Sequence, residues 1–197
     1  MKNQVSNINL IVEKNEMEGI LIGNRIPMEF FETSGSGESD IAIHAGSYHL
    51  ALQDANIEMY NIMTYSSILP GIAEKVNPPA KITHGAVLES IMAVCHAGKG
   101  ELAAAGIIYG WLYDRVTAKK YGGLVCEHSG NYNKEELNAR LGSSLEELYV
   151  NGFTDRYELR DIEILSKSFI PRKRYGTALV ALCFISYYFP VLKRDYA

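Results

Sequence analysis

Residues 101–130 read ELAAAGIIYGWLYDRVTAKKYGGLVCEHSG, and this stretch decides the fold. Two runs rich in apolar, aromatic and branched residues, 101–115 and 119–130, flank a polar link near Thr117, the signature of two strands joined by a turn. Immediately downstream, NKEELNARLGSSLEELY (133–149) carries a helix signature. Asn133 is its N-cap, and Glu135 and Glu136 lie near the positive end of the dipole. Gly142 weakens the case for one unbroken helix. YELRDIEILSKSFIP (157–171) and RYGTALVALCFISYYF (174–189) close the chain as strands.

Upstream, GAVLESIMAVCHAG (85–98) fits either a helix or a strand with a hairpin, and KVNPPA (75–80) is a loop because adjacent prolines forbid a ladder. MYNIMTYSSILP (59–70) reads as a strand ending in a Pro-bounded turn. In HAGSYHLALQDAN (44–56), Ala45, Tyr48, Ala51, Leu52 and Ala55 recur at helical spacing, and Asn56 suits the left-handed residue that closes a helix. EGILIGNRIPMEFFETSGSGESD (18–40) gives two short apolar runs around Pro27, then a Gly/Ser segment, Ser34 to Ser39, expected to be a flexible loop. Residues 1–15 form a polar leader or edge strand. Two or three helices against six to eight strands predict a layered α+β domain spanning 1–197, with helices on the outer faces of antiparallel sheets.

Composition removes several functions. The 197 residues include 19 Lys plus Arg against 23 Asp plus Glu, a net charge of −4. The short run Arg172-Lys173-Arg174 is too little for a nucleic-acid face. No stretch reaches the ~20 apolar residues that span a bilayer, so no membrane partner and a cytoplasmic location are expected. Three cysteines, Cys95, Cys126 and Cys183, without a CxxC pair argue against a disulfide scaffold or thiolate zinc site. The five histidines match no metal spacing, and there is no GxSxG elbow for a serine hydrolase. GSGES lacks the Walker lysine and the full Rossmann glycine spacing, so it is not read as a phosphate cradle.

Two segments remain as candidate chemistry. Ser66 and Ser67 follow an apolar strand into a tight corner bounded by Pro70, where a strained backbone would hold a hydroxyl against the preceding carbonyl. The ordinary reading of such a pair is a turn with local hydroxyl-to-backbone bonds. The second segment is Gly122-Gly123-Leu124-Val125-Cys126-Glu127-His128, which places a glutamate near the end of another strand.

YNIMTYSSILP with the helix HLALQDANIE before it resembles the self-processing region of pyruvoyl-dependent arginine decarboxylases. GSGES, THGAVLESIMA (the bacterial branch) and GGLVCEHSG extend the likeness over roughly residues 28–190. The SSILP element with an asparagine six residues before its second serine is the specific part. The resemblance implies a four-layer αββα sandwich and a homotrimer with active sites between subunits. It implies a precursor that cuts itself between Ser66 and Ser67, giving an amino-terminal β chain, 1–66, and a carboxy-terminal α chain, 67–197. Ser67 would become the covalent pyruvoyl group, an electron sink in place of a bound cofactor. Glu127 matches the acid that protonates the carbon left by carbon dioxide, and burial raises a carboxyl's affinity for its proton. Asn61 matches the asparagine that holds the cleaving backbone or the substrate carboxylate.

One position departs from the family. The aspartate that receives the substrate's guanidinium maps to His49, and an imidazole cannot offer two parallel acceptors. Asp40 or Asp54 substitutes only if the helix register or loop path differs. The expected activity is decarboxylation of a small amino acid, arginine to agmatine at family level. A different amino acid, or a non-catalytic homologue with a structural or regulatory role, remains open.

Overall fold

The computed structural model describes residues 20–81 and 83–192. The leader, 1–15, lies outside them. Residues 26–188 form one compact unit. The described flanking residues, 20–25 and 189–192, belong to a second, in which Ile22 bridges Val191 and the Gly23 N–H donates to the Pro190 carbonyl.

In chain order the large unit contains β1 (Ile26–Pro27), β2 (Glu29–Ser39), a π-helical turn (Ile43–Tyr48), α1 (His49–Asp54), β3 (Asn61–Thr64), β4 (Ile68–Pro70) and β5 (Glu74–Lys75). There follow β6 (Val87–Gly98), β7 (Ala103–Asp114), β8 (Lys120–Gly130), α2 (Lys134–Gly152), β9 (Tyr157–Phe169), β10 (Tyr175–Phe184) and β11 (Tyr187–Tyr188). One sheet runs β3-β6-β10-β2-β5, another β4-β8-β7-β9, and β1 pairs with β11. The larger sheet is mixed, because β3 runs parallel to β6 and β5 parallel to β2.

Period-two alternation builds the layers. On β10, Ala178, Val180, Leu182 and Phe184 enter the core between the sheets, while Leu179, Ala181 and Cys183 meet Ala51, Leu52 and Ala55 of the α1 layer. On β7, Ala105, Ile107, Tyr109 and Trp111 face the inter-sheet core, while Ala104, Ile108 and Leu112 meet α2. Both faces of each strand are covered, so each reads as a continuous apolar run. The order is α1, five-stranded sheet, four-stranded sheet, α2, the layered αββα arrangement that the resemblance implied.

α2 is capped as its sequence predicts, with Asn133 Oδ1 accepting from the Glu136 N–H at 2.8 Å. Leu137, Leu141 and Leu145 recur every fourth position and are buried on the four-stranded sheet. The helix runs through Gly142, whose Cβ position has nothing within 4 Å. Gly142→Ala is therefore expected to stabilise the fold by about 0.5–1 kcal/mol, read as a raised thermal midpoint.

The segment Ser34–Ser39 is a correction. It is not a flexible loop but the second half of β2, paired residue by residue with β10 from Ser34↔Val180 to Ser39↔Tyr175. A Cβ at Gly35 would lie 2.0 Å from the Ala51 carbonyl oxygen, and one at Gly37 2.4 Å from the Ala51 nitrogen. The glycines are there because the α1 layer rests on bare strand backbone. The run 85–98, open between helix and strand, is the strand β6. MYNIMTYSSILP is two strands in two different sheets, and the serine pair occupies the crossing.

Candidate active site

β3 lies along β6 with Thr64 opposite Ser90, and the Tyr65 N–H extends that pairing to the Ser90 carbonyl at 2.8 Å. The chain then leaves the five-stranded sheet. Three residues after Tyr65, Ile68 pairs with Leu124 and β4 begins on the edge of the other sheet. Gly122 and Gly123 make that approach possible, since a Cβ at Gly123 would lie 3.0 Å from the Leu69 Cβ.

Within the crossing, the Ser66 carbonyl accepts from the Ile68 N–H at 3.0 Å, a three-residue turn centred on Ser67. The Ser67 carbonyl accepts from the Val125 N–H at 3.2 Å. Neither serine has a positive φ, and the peptide bonds are trans, so no left-handed or cis backbone holds the pair. Position comes from the turn. An N–H aimed at the Ser66 oxygen favours negative charge there, as a donor in an oxyanion hole does.

The Ser67 hydroxyl lies 2.8 and 2.7 Å from the two carboxylate oxygens of Glu127, 60 residues away in sequence. β8 brings the carboxylate there by its alternation. Val125 faces the inter-sheet core and Glu127, two residues on, shares that side, while Cys126 turns to the α2 layer. Burial, reinforced by the neighbouring Glu127 charge, pushes the Cys126 thiol up to about 11. It stays a neutral thiol near pH 7 and does not compete as a nucleophile. His128 also turns away, with Nε2 2.8 Å from the Ser144 hydroxyl of α2.

The structure thus joins Ser67 with Glu127 and leaves the other nominated residues apart. Ser66 is exposed. Asn61 opens β3, and its side-chain amide donates to the Gly85 carbonyl at 2.8 Å, not to the serine pair. His49 is the exposed first residue of α1. Both carboxylates that could replace the missing aspartate are engaged. Asp40 accepts from the Arg174 N–H at 3.0 Å. Asp54 accepts from the Ser36 N–H at 2.8 Å and pairs with Lys167 at 3.2 Å. The Ser36 N–H, with Lys167 adding to it, holds the Asp54 carboxyl below the usual carboxylate range. Asp54 lines an open cavity of about 660 Å³ with Ser36, Glu38, Leu50 and Gln53. β10 and β6 stand between this strand β2 and β3, so within this chain the cavity is not beside Ser67.

Two residues that sequence reasoning missed belong to the crossing. Tyr65 packs on Phe184, ring centroids 5.7 Å apart, and its hydroxyl donates to the carboxylate of Glu89. Glu89 is only 3% exposed. Its signal was visible: an acidic residue inside the apolar run VLESIMAV (87–94) demands a buried partner.

Comparison with known proteins gives a consistent result. The family model described as pyruvoyl-dependent arginine decarboxylase matches residues 29–189. The chain is 29% identical over 189 residues to the pyruvoyl-dependent arginine decarboxylase AaxB of Chlamydia trachomatis serovar L2, covering 84% of this chain and 94% of the relative. Against AaxB of Chlamydia muridarum the identity is 40% over 94 residues, 43% of this chain and 46% of that one. Pyruvoyl-dependent arginine decarboxylase 2 of Archaeoglobus fulgidus is 30% identical over 113 residues, covering 54% of this chain and 67% of the relative.

Proposed function

The chain belongs to the pyruvoyl-dependent arginine decarboxylase family, in its bacterial branch, and from that premise we propose how its own residues make and use the pyruvoyl group. The Ser66–Ser67 peptide is cut by the chain itself, leaving 1–66 and 67–197, and the enzyme removes carbon dioxide from an amino acid of arginine's class. The observation that carries this reading is the Ser67 hydroxyl held by both oxygens of Glu127.

In the precursor, Glu127 is placed to take the hydroxyl proton as Ser67 Oγ attacks the Ser66 carbonyl carbon. The Ile68 N–H is placed to hold the oxygen on which charge develops. The Oγ–C bond forms, the C–N bond breaks, and the proton passes to the Ser67 nitrogen. Loss of the Ser67 Cα proton then expels Ser66 as a carboxylate. The dehydroalanine left behind takes up water and releases ammonia as the ketone forms. The residues present fit that group: it keeps the backbone place of Ser67, with a carboxyl already within hydrogen-bonding reach. Once formed, the pyruvoyl group supplies an electron sink for the pair left when carbon dioxide departs. Glu127 then serves as the proton source at the substrate's α-carbon, and Asn61 fixes the loop at Gly85 that begins β6.

Assembly as a homotrimer is part of the same reading. β3 is an open sheet edge, and Met59, Met63 and Val87 around it are exposed, which supports a second copy packing there. Among the described residues no helix is long and apolar enough to cross a membrane, and the three cysteines are free. Both fit our placement of the enzyme in the cytoplasm.

The test has two parts. An intact mass spectrum of the denatured protein is expected to show two chains split after Ser66, whereas a single whole chain would favour a non-catalytic homologue. A panel of arginine, ornithine, lysine, glutamate and aromatic amino acids then addresses His49. With no carboxylate at that position, arginine is expected to be a poor substrate, and His49→Asp to raise its kcat/KM by roughly 10²-fold. If wild type strongly prefers arginine and His49→Asp leaves that preference unchanged, His49 does not face the side-chain end of the substrate.

A further inference from the structure

We propose that Tyr65 and Glu89 form a positioning pair for the self-processing step, holding the residue that precedes the Ser66 carbonyl; this rests on the self-cleavage reading above. Glu89 lies at the end of the inter-sheet core, in register with Phe184 on β10, and two residues from Ile91 of that core. An apolar side chain would serve packing better there, because a buried carboxylate is costly unless it is paired. It receives the Tyr65 hydroxyl at the point where the chain leaves the sheet. Tyr65 is thereby fixed at three places: its N–H on the Ser90 carbonyl at 2.8 Å, its ring on Phe184, and its hydroxyl on Glu89.

On the other side of the cut, the Ile68 N–H and the Val125 N–H hold the Ser66 and Ser67 carbonyls. The scissile unit is therefore suspended between two anchored ends, one on each sheet. For the acyl shift, the Ser66 carbonyl carbon must meet Ser67 Oγ along its line of attack, and an error near 1 Å costs on the order of 10²-fold in rate. Neither Tyr65 nor Glu89 touches an atom whose bonds change. They act through the backbone.

The experiment follows cleavage of freshly refolded precursor by intact mass, at a temperature well below unfolding, for wild type, Tyr65→Phe and the double variant Tyr65→Phe/Glu89→Gln. Tyr65→Phe keeps the ring on Phe184 and removes only the hydroxyl. Its cleavage is expected to slow by about 10-fold or more, with hydroxylamine giving no burst of cut chain. Hydroxylamine opens an ester, so no burst means the shift itself is the delayed step. The double variant is expected to cut within about twofold of Tyr65→Phe, because residues acting as a unit are not additive. A role confined to stability would lower the thermal midpoint and leave the cleavage rate of folded protein unchanged. Tyr65→Phe cutting at the wild-type rate overturns the proposal, as does a hydroxylamine burst or an additive double variant. A wild-type chain that stays whole overturns the self-cleavage reading itself.

Discussion

The Ser67→Ala protein is expected to remain one uncut chain and to show no decarboxylation above background. In the proposed mechanism the Ser67 hydroxyl is the group that attacks the Ser66 carbonyl, and with it goes the precursor of the ketone. Folding should survive, because the backbone anchors on Ser90, Ile68 and Val125 involve no Ser67 side-chain atom. The loss in stability is that of one hydrogen bond to a charged group, about 1.5–3 kcal/mol. Mass spectrometry and a thermal melt on the same sample check both points. A Ser67→Ala chain that still splits after Ser66 would rule out the acyl shift.

Glu127→Gln is the second large effect, and it separates two roles of one carboxylate. The amide oxygen of glutamine can still accept from the Ser67 hydroxyl, whereas its nitrogen cannot deliver a proton to carbon. Cleavage is expected to continue, more slowly. Turnover per cut chain should fall by roughly 10²-fold or more, the usual scale for a lost general acid. The amount of pyruvoyl has to be measured with the rate, so that incomplete cutting is not mistaken for slow chemistry. A fully cut Glu127→Gln enzyme with near wild-type turnover would remove Glu127 from the decarboxylation.

Much of this was legible in the sequence, for identifiable physical reasons. β7, β8 and α2 announce themselves because their apolar periodicity, their turn at Ala118 (φ 56°) and the Asn133 cap are local features. The Ser34–Ser39 strand was not legible, since its glycines answer to helix backbone two elements later in the chain, not to local propensity. Ser67 and Glu127 were each nominated separately. Their contact depends on β4 docking beside β8, a long-range pairing that no local pattern encodes. The Tyr65–Glu89 pair stayed hidden because a lone glutamate in an apolar run shows only that a partner exists, not which one.

The placement of the serine pair also shapes how the enzyme comes apart. The segment before Ser67 supplies β3 and β2, and the segment after it supplies β6, β10 and β5. In the order β3-β6-β10-β2-β5 the two are interleaved. A cut at the crossing therefore frees neither piece, and each strand of the first chain stays bonded to strands of the second. Once that enzyme unfolds, however, recovery is no longer a unimolecular event, because two polypeptides must find each other before the sheet can be rebuilt. The self-cleavage proposed above would thus exchange a single-chain fold for one whose persistence is governed by its unfolding rate, and whose equilibrium stability depends on protein concentration.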